Sequence, residues 1–505
     1  MNLSLIRINT FANYLGTGFL VIISAATVRY FLNTLGADAY GLIGFFAILQ
    51  NILSFFDLGF SQLLGRHAAI AKSRKIEFSF FADILKSFEV YAFFLLIVVL
   101  IFASPISLFF SNYWFQSETL ANDAIKSSIE IMFICGALQM YVRLYKFSLI
   151  GFEDQVWVNM FSIFISSLKF AGALVFIWTV SANIVHFFVY QLVVILIEVI
   201  GLRLKLYKNL PANLDLRQRF SIPAIKKVLS LSVSLATVSL LWILATQTDK
   251  FVLSKVLPLR EFGYFSLIAL IASSSIYIVL PIRQAVQPRL TALLDDSKLK
   301  EALLLYRQSS HFIALLTGAL VAFLFFYSTE LIYIWTGNEE LSDFSEDILY
   351  LFALGTGLFA IQLILVALQI ANGVLSLHLK TTVISLVLQI PIITWAAIEH
   401  GVLGVAISWF YLRLLFFLLW PFIIHRSFSK DLHFNWLFKD IFPVVSLQFF
   451  VGFLISQLIS REDILSSYLP VVTLFFIALT ILTLGLIYSP YLRKILRLKL
   501  SGLDK

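Results

Sequence analysis

Apolar residues run in blocks of about twenty along almost the whole chain, separated by short polar stretches. Within the blocks the apolar character is continuous rather than alternating, which predicts membrane-crossing α-helices and excludes a β-barrel. About 30 Å of hydrocarbon needs roughly 20 residues of helix. On that rule the blocks predict fourteen spans, near 11–32, 40–62, 83–110, 126–149, 157–179, 183–203, 229–254, 262–285, 308–331, 348–371, 380–398, 402–424, 441–459 and 468–489.

Composition agrees. Of 505 residues 60% are hydrophobic and 13% charged, against roughly 25% charged in a soluble domain, and the mean hydropathy is +0.93. The net charge of +8 does not point to nucleic acid, because the basic loop residues collect in one alternating set of loops. The other set holds only Lys255, Arg260 and Arg461, together with acidic stretches such as Gly337–Asp347. Cationic loops face the cytoplasm, so the alternation supports fourteen spans with both termini on that side of the membrane. The N-terminal segment has the outline of a signal peptide but continues apolar to Phe31, so it reads as the first permanent span. The basic stretch Arg203–Lys227 reads as a linker, with a helix lying on anionic headgroups as its alternative. A single cysteine, Cys135, excludes an internal disulfide, and the seven histidines lack ligand spacing, so neither metal nor cofactor is expected.

The chain also repeats itself. Leu35, Tyr40 and Gly41 fall on Leu257, Phe262 and Gly263 at an offset of 222 residues, and Gly151 falls on Gly373 at the same offset. Six spans per copy is an even number, so the copies enter the bilayer in the same sense, as parallel repeats do. The expected organisation is an N-lobe over 1–222, a C-lobe over 223–440, and two further helices with a basic tail over 441–505.

The pattern TLGADAYG…SFFDLGFSQLLGR, with DKFVLSKVLPLREFGYFSL, the P-x-L of QPRL and EHGVLGVAIS, resembles the polysaccharide-transporter branch of the MOP superfamily over essentially the whole chain. Within it the O-antigen (Wzx-type) flippases are most similar. The resemblance implies an all-α, MATE- or lipid II flippase-like fold. It also implies a flippase rather than an enzyme, moving undecaprenyl-diphosphate-linked oligosaccharide to the periplasmic leaflet by alternating access. The implied partners are that substrate, membrane lipids, and a glycan polymerase with its chain-length regulator. A lipid II flippase or a MATE-like exporter is the alternative in the same fold, and a membrane glycan polymerase or ligase the alternative from another class. Short periplasmic loops argue against the last, and the absence of G-x-x-x-x-G-K-[ST] leaves an ion gradient or the membrane potential as the energy source.

Ionisable residues inside a bilayer cost roughly 2.5–3.5 kcal/mol at a helix centre, so each needs a reason. Arg29, Lys169, Lys250, Arg283 and Arg413 are the candidate contacts for a diphosphate, because guanidinium and ammonium groups attract it strongly where the dielectric is low. Arg29 and Lys250 lie one residue apart under the repeat offset; snorkelling is their bland alternative. Asp57, Asp249 and Glu198 are candidates for ion coupling or for structure: Asp57 as a relay or a partner of Arg66, Asp249 as the partner of a cation, Glu198 as an end-of-helix ion near Arg203. The Tyr and Trp residues read first as interfacial belts, as in Ser111–Phe115.

Overall fold

A computed structural model describes residues 3–74, 78–211, 222–373, 375–467 and 469–491; among them every regular element is helical. In chain order these are α1 (Leu3–Leu35), α2 (Ala37–Leu53), α3 (Phe60–Arg74), α4 (Phe78–Phe109), α5 (Asn122–Gly151), α6 (Gln155–Ser167), α7 (Ala173–Thr179), α8 (Ile184–Lys208), α9 (Ile222–Val256) and α10 (Leu259–Ala272). They continue as α11 (Ser274–Asp295), α12 (Leu299–Thr336), α13 (Glu339–Ser345), α14 (Leu349–Ala371), α15 (Leu375–Phe428), α16 (Leu432–Asn435), α17 (Phe442–Leu458), α18 (Arg461–Leu465) and α19 (Pro470–Tyr488).

Twelve helical stretches among the described residues are long and apolar enough to cross a membrane. One of them holds two of the predicted spans. Helix α15 runs for 54 residues, about 80 Å at 1.5 Å per residue, and carries a non-helical backbone at Gly401 (φ 59°, ψ −146°). That conformation is open essentially to glycine alone, so Gly401 divides α15 where the sequence placed the boundary between 380–398 and 402–424. Helix α9, part of whose length lies outside the fully described residues, corresponds to the predicted seventh span. The basic tail from 492 and the centre of the 203–227 stretch (212–221) lie outside the described residues.

The chain divides into two compact units, Met1–Gly263 and Tyr264–Lys505. In the first, α5 is the central helix, packed against α3, α4 and α8. Its core gathers Phe81, Ile84, Phe88, Leu144, Tyr145 and Leu149. In the second, α12 and α14 are central, with α11, α15 and α17 around them and Tyr306, Ile313, Ala360, Ile364 and Trp436 in the core. Apolar side chains such as Phe93, Ile101, Val387 and Phe475 are exposed on the helix surfaces, as lipid contact requires.

Duplication is visible in the helix starts. Helix α2 begins at Ala37 and α10 at Leu259, the same offset that relates Gly41 to Gly263. Inside the first unit the two helices touch reciprocally at these positions. A methyl group on Gly41 would sit 2.2 Å from the Leu259 carbonyl oxygen, and one on Gly263 2.4 Å from the Ala37 carbonyl oxygen. Each copy's glycine meets the other copy's helix-start carbonyl, the self-complementary pattern of a two-fold contact.

Candidate functional site

One group of charged side chains inside the first unit is built by α5, α6 and α8. Helix α6 does not run evenly into α7: residues Leu168–Gly172 form a π-helical turn, and Lys169 sits in it. A wide turn frees carbonyls that must find other donors. Helix α8 supplies them, Tyr190 Oη donating to the Leu168 carbonyl (3.0 Å) and Gln191 Nε2 to the Lys169 carbonyl (2.9 Å). The turn aims Lys169 Nζ at Glu198 Oε2, 2.5 Å away. A second lysine, Lys146 of α5, donates to Ser162 Oγ (3.3 Å) and lies within electrostatic reach of both Glu198 and Lys169. The cluster therefore holds two lysines and one carboxylate, a formal excess of one positive charge, with Lys169 the one ion-paired to Glu198.

Glu198 is thus not an end-of-helix ion answering Arg203: it is buried and bound to Lys169. Lys169 is not an isolated cation either. Two other expected pairings also change. Asp57 does not meet Arg66, which is exposed; it accepts from the Ser61 hydroxyl (2.6 Å) and, more weakly, the Ser61 amide (3.3 Å), and so caps the start of α3. The chain turns there through Leu58 (φ 48°) and Gly59 (φ 74°). A side chain on Gly59 would strike Leu235 Cβ at 2.6 Å, so the cap and the glycine together fix the bend. Asp249, 1% exposed, lies beside its own neighbour Lys250 (Nζ–Oδ2 3.3 Å), which also donates to the Thr246 carbonyl (2.9 Å).

Among the remaining candidates, Arg29 is exposed on α1. Lys250, on α9, belongs to the first unit with it. In the second unit Arg413 is buried, its guanidinium stacked 4.3 Å from the Phe359 ring centre and 4.2 Å from that of Trp409. Arg283, half-buried on α11, has no carboxylate within salt-bridge distance among the described residues. Lys169 and Glu198 are brought together, as are Asp249 and Lys250; Arg283 and Arg413 both belong to the second unit.

The sequence reading missed a second network altogether. Arg307 of α12 grips Asp440 through two bonds (Nε–Oδ2 2.6 Å, Nη2–Oδ1 3.0 Å), and Tyr491 Oη donates to the same carboxylate (2.8 Å). Burial and the adjacent carboxylate push the Tyr491 hydroxyl up to about 12. His311 bridges the Asp440 carbonyl (2.7 Å) and Ser489 Oγ (2.8 Å), while Tyr306, His425 and His433 form a chain at 2.7 and 3.3 Å. These contacts tie α12, α15 and the C-terminal helices of the second unit to one another. Spacing gave no signal, since Arg307 and Asp440 stand 133 residues apart.

This all-helical architecture is found in solved structures. The chain is similar to the lipid II flippase MurJ in an inward closed conformation (TM-score 0.67, 13% identity), covering 97% of this chain and 100% of that one. A multidrug resistance MATE family transporter of the MOP superfamily, inward-facing, matches with TM-score 0.64 and 16% identity over 81% of this chain and 96% of its own. A MOP superfamily transporter from Pyrococcus furiosus matches with TM-score 0.59 and 16% identity over 85% and 96%. No curated protein matches the chain. The fold is therefore the all-helical one of these solved transporters. Residues 34–342, more than half the chain, match the family model described as polysaccharide biosynthesis protein. The chain belongs to that family.

Proposed function

We propose that the protein is a flippase that carries an undecaprenyl-diphosphate-linked oligosaccharide, of the O-antigen or a similar surface glycan, from the cytoplasmic to the periplasmic leaflet. The observation that carries this reading is the extent of the fold match. The MATE transporter accounts for 81% of the chain, whereas the lipid II flippase accounts for 97%. Membership of a polysaccharide biosynthesis family then favours a glycan-bearing lipid over a drug. The buried charge supports it too: the Lys146–Lys169–Glu198 cluster is net cationic and suits a diphosphate, where an exporter of cationic drugs would call for net acidity.

The mechanism is alternating access, with the sugar-diphosphate head inside the protein and the prenyl tail left in lipid. An inside-negative potential favours outward movement of the headgroup by about 2.3 kcal/mol per charge per 100 mV. The setting is the bacterial inner membrane with both termini cytoplasmic, and the functional partners are a glycan polymerase and its chain-length regulator. Deleting the gene and extracting lipid-linked intermediates tests the proposal. Accumulation of one unpolymerised oligosaccharide on the cytoplasmic side is expected; normal surface glycan, or accumulation of lipid II instead, refutes it. Reporter fusions at the two ends should both report the cytoplasm.

A further inference from the structure

Helices α4 and α8 each pack on α5 and leave a groove between them, floored by α5, with a cavity of about 350 Å³. Its wall changes character along its length. One end is polar, with Glu89, Tyr141, Tyr145 and Arg203; the other is apolar, with Leu96, Leu138 and Val199. Along the same helix faces Phe93, Leu196 and Ile200 are exposed, so the apolar end continues into the lipid-facing surface. The polar end is closed by a bridge between α4 and α8. Tyr207 Oη receives a bond from Lys86 Nζ (2.6 Å) and lies 2.8 and 2.9 Å from the two Glu89 oxygens, while Tyr145 Oη donates to Glu89 (2.8 Å) and Lys86 reaches its Oε2 (3.0 Å).

The charge balance decides what this end can bind. A carboxylate offers about four lone-pair sites, and three donors already reach those of Glu89: Tyr145, Tyr207, whose one hydroxyl hydrogen lies between the two oxygens, and Lys86. Glu89 therefore orders the wall, and its charge is already balanced by Lys86. Arg203 is different. It is exposed, stacks on the Tyr207 ring (5.2 Å) and hydrogen-bonds that residue, and with five N–H donors on one guanidinium it has donors to spare for a phosphate. With Lys86, Arg203 and Glu89 the wall carries one excess positive charge, at the end of α8 that the loop charges assign to the cytoplasmic side.

From this we infer that the groove holds an anionic membrane phospholipid, its phosphate on Arg203 and one acyl chain along Leu96, Leu138 and Val199. Selection is by charge: phosphatidylglycerol or cardiolipin binds, whereas phosphatidylethanolamine brings an ammonium to a net cationic wall whose carboxylate is already paired with Lys86. The site is separate from the buried Lys146–Lys169–Glu198 cluster and independent of the flippase reading.

Native mass spectrometry of the delipidated full-length protein, titrated with each lipid in turn, tests the inference. The wild type should retain one phosphatidylglycerol with at least a fivefold preference over phosphatidylethanolamine. Arg203→Gln should lower that retention about tenfold. Val199→Trp fills the groove from a partly exposed position without touching a charge, and should do the same, which keeps the test decisive if loss of Arg203 impairs folding. Equal retention of the two lipids, or unchanged retention in a well-folded Val199→Trp variant, overturns the proposal. So does displacement of the bound phospholipid by equimolar undecaprenyl diphosphate, since that would make the groove a substrate site.

Discussion

The Lys169–Glu198 pair makes a prediction that separates structure from transport. At 2.5 Å and an effective dielectric near 20, the attraction is about 7 kcal/mol before desolvation, which costs several kcal/mol per ion. The intact pair thus contributes little net, and the cost appears when one partner is removed. Removing one side of a fully buried pair costs roughly 3–5 kcal/mol. The two sides are not equivalent here. Glu198→Leu leaves Lys169 and Lys146 facing each other with no counter-charge, so its cost belongs in that range, roughly 3–4 kcal/mol. Lys169→Met leaves Glu198 with Lys146 still within reach, and its cost should be about half that, on the order of 1–2 kcal/mol. In Lys169→Met/Glu198→Leu the repulsion disappears, so the double variant should be no worse than Glu198→Leu alone, a coupling of about 1–3 kcal/mol. At 2–4 °C per kcal/mol for a unit of this size, Glu198→Leu should lower Tm by about 10 °C and Lys169→Met by about 5 °C. Thermal unfolding in detergent, followed by tryptophan fluorescence, reads the cycle; surface glycan in cells carrying only the variant reads transport. Strictly additive single effects would refute the pairing argument. If the double variant folds but makes no surface glycan, Lys169 serves the substrate; if glycan returns to normal, its task is to neutralise Glu198.

Three further outcomes follow from the geometry. Asp57→Asn keeps an acceptor for Ser61 and should keep stability and transport, whereas Asp57→Ala loses the cap at a cost of about 1 kcal/mol; a transport-dead, stable Asp57→Asn would instead establish a proton-carrying role. Gly41→Val and Gly263→Val each drive a branched side chain into a backbone carbonyl and should sharply lower the yield of folded protein in membranes, while Gly18→Ala, whose added carbon meets nothing within 4 Å, should be neutral in the same fractionation assay. Asp440→Ala strips Arg307 and Tyr491 of their shared acceptor, and because Asp440 is 2% exposed the loss should reach roughly 3–5 kcal/mol, read as a Tm shift; a shift under 1 °C would show that the network does not hold the C-terminal helices.

What the sequence made legible follows from the range over which each signal acts. Hydrocarbon thickness acts on one helix at a time, so the spans could be read from runs of residues, and even Gly401 fell at the predicted break in α15. The resemblance named the family for the same reason: its motifs are contiguous. Charge partners act between helices. Lys169 was singled out from its depth in the fifth span, but that Glu198 and Lys146 would share one site with it depends on a π-helical turn that no propensity signals. Glu89, Arg307 and Asp440 lie close enough to span ends to pass for loop charges, and only tertiary packing reveals them as the centres of two networks. The repeat lies between these cases. An offset of 222 residues aligned Gly41 with Gly263, yet identity at an offset says only that the two positions correspond. Their reciprocal contact says why glycine stands at both: each is the place where the other copy's helix start must come within van der Waals range, and a side chain at either position would force apart a crossing the two copies build together.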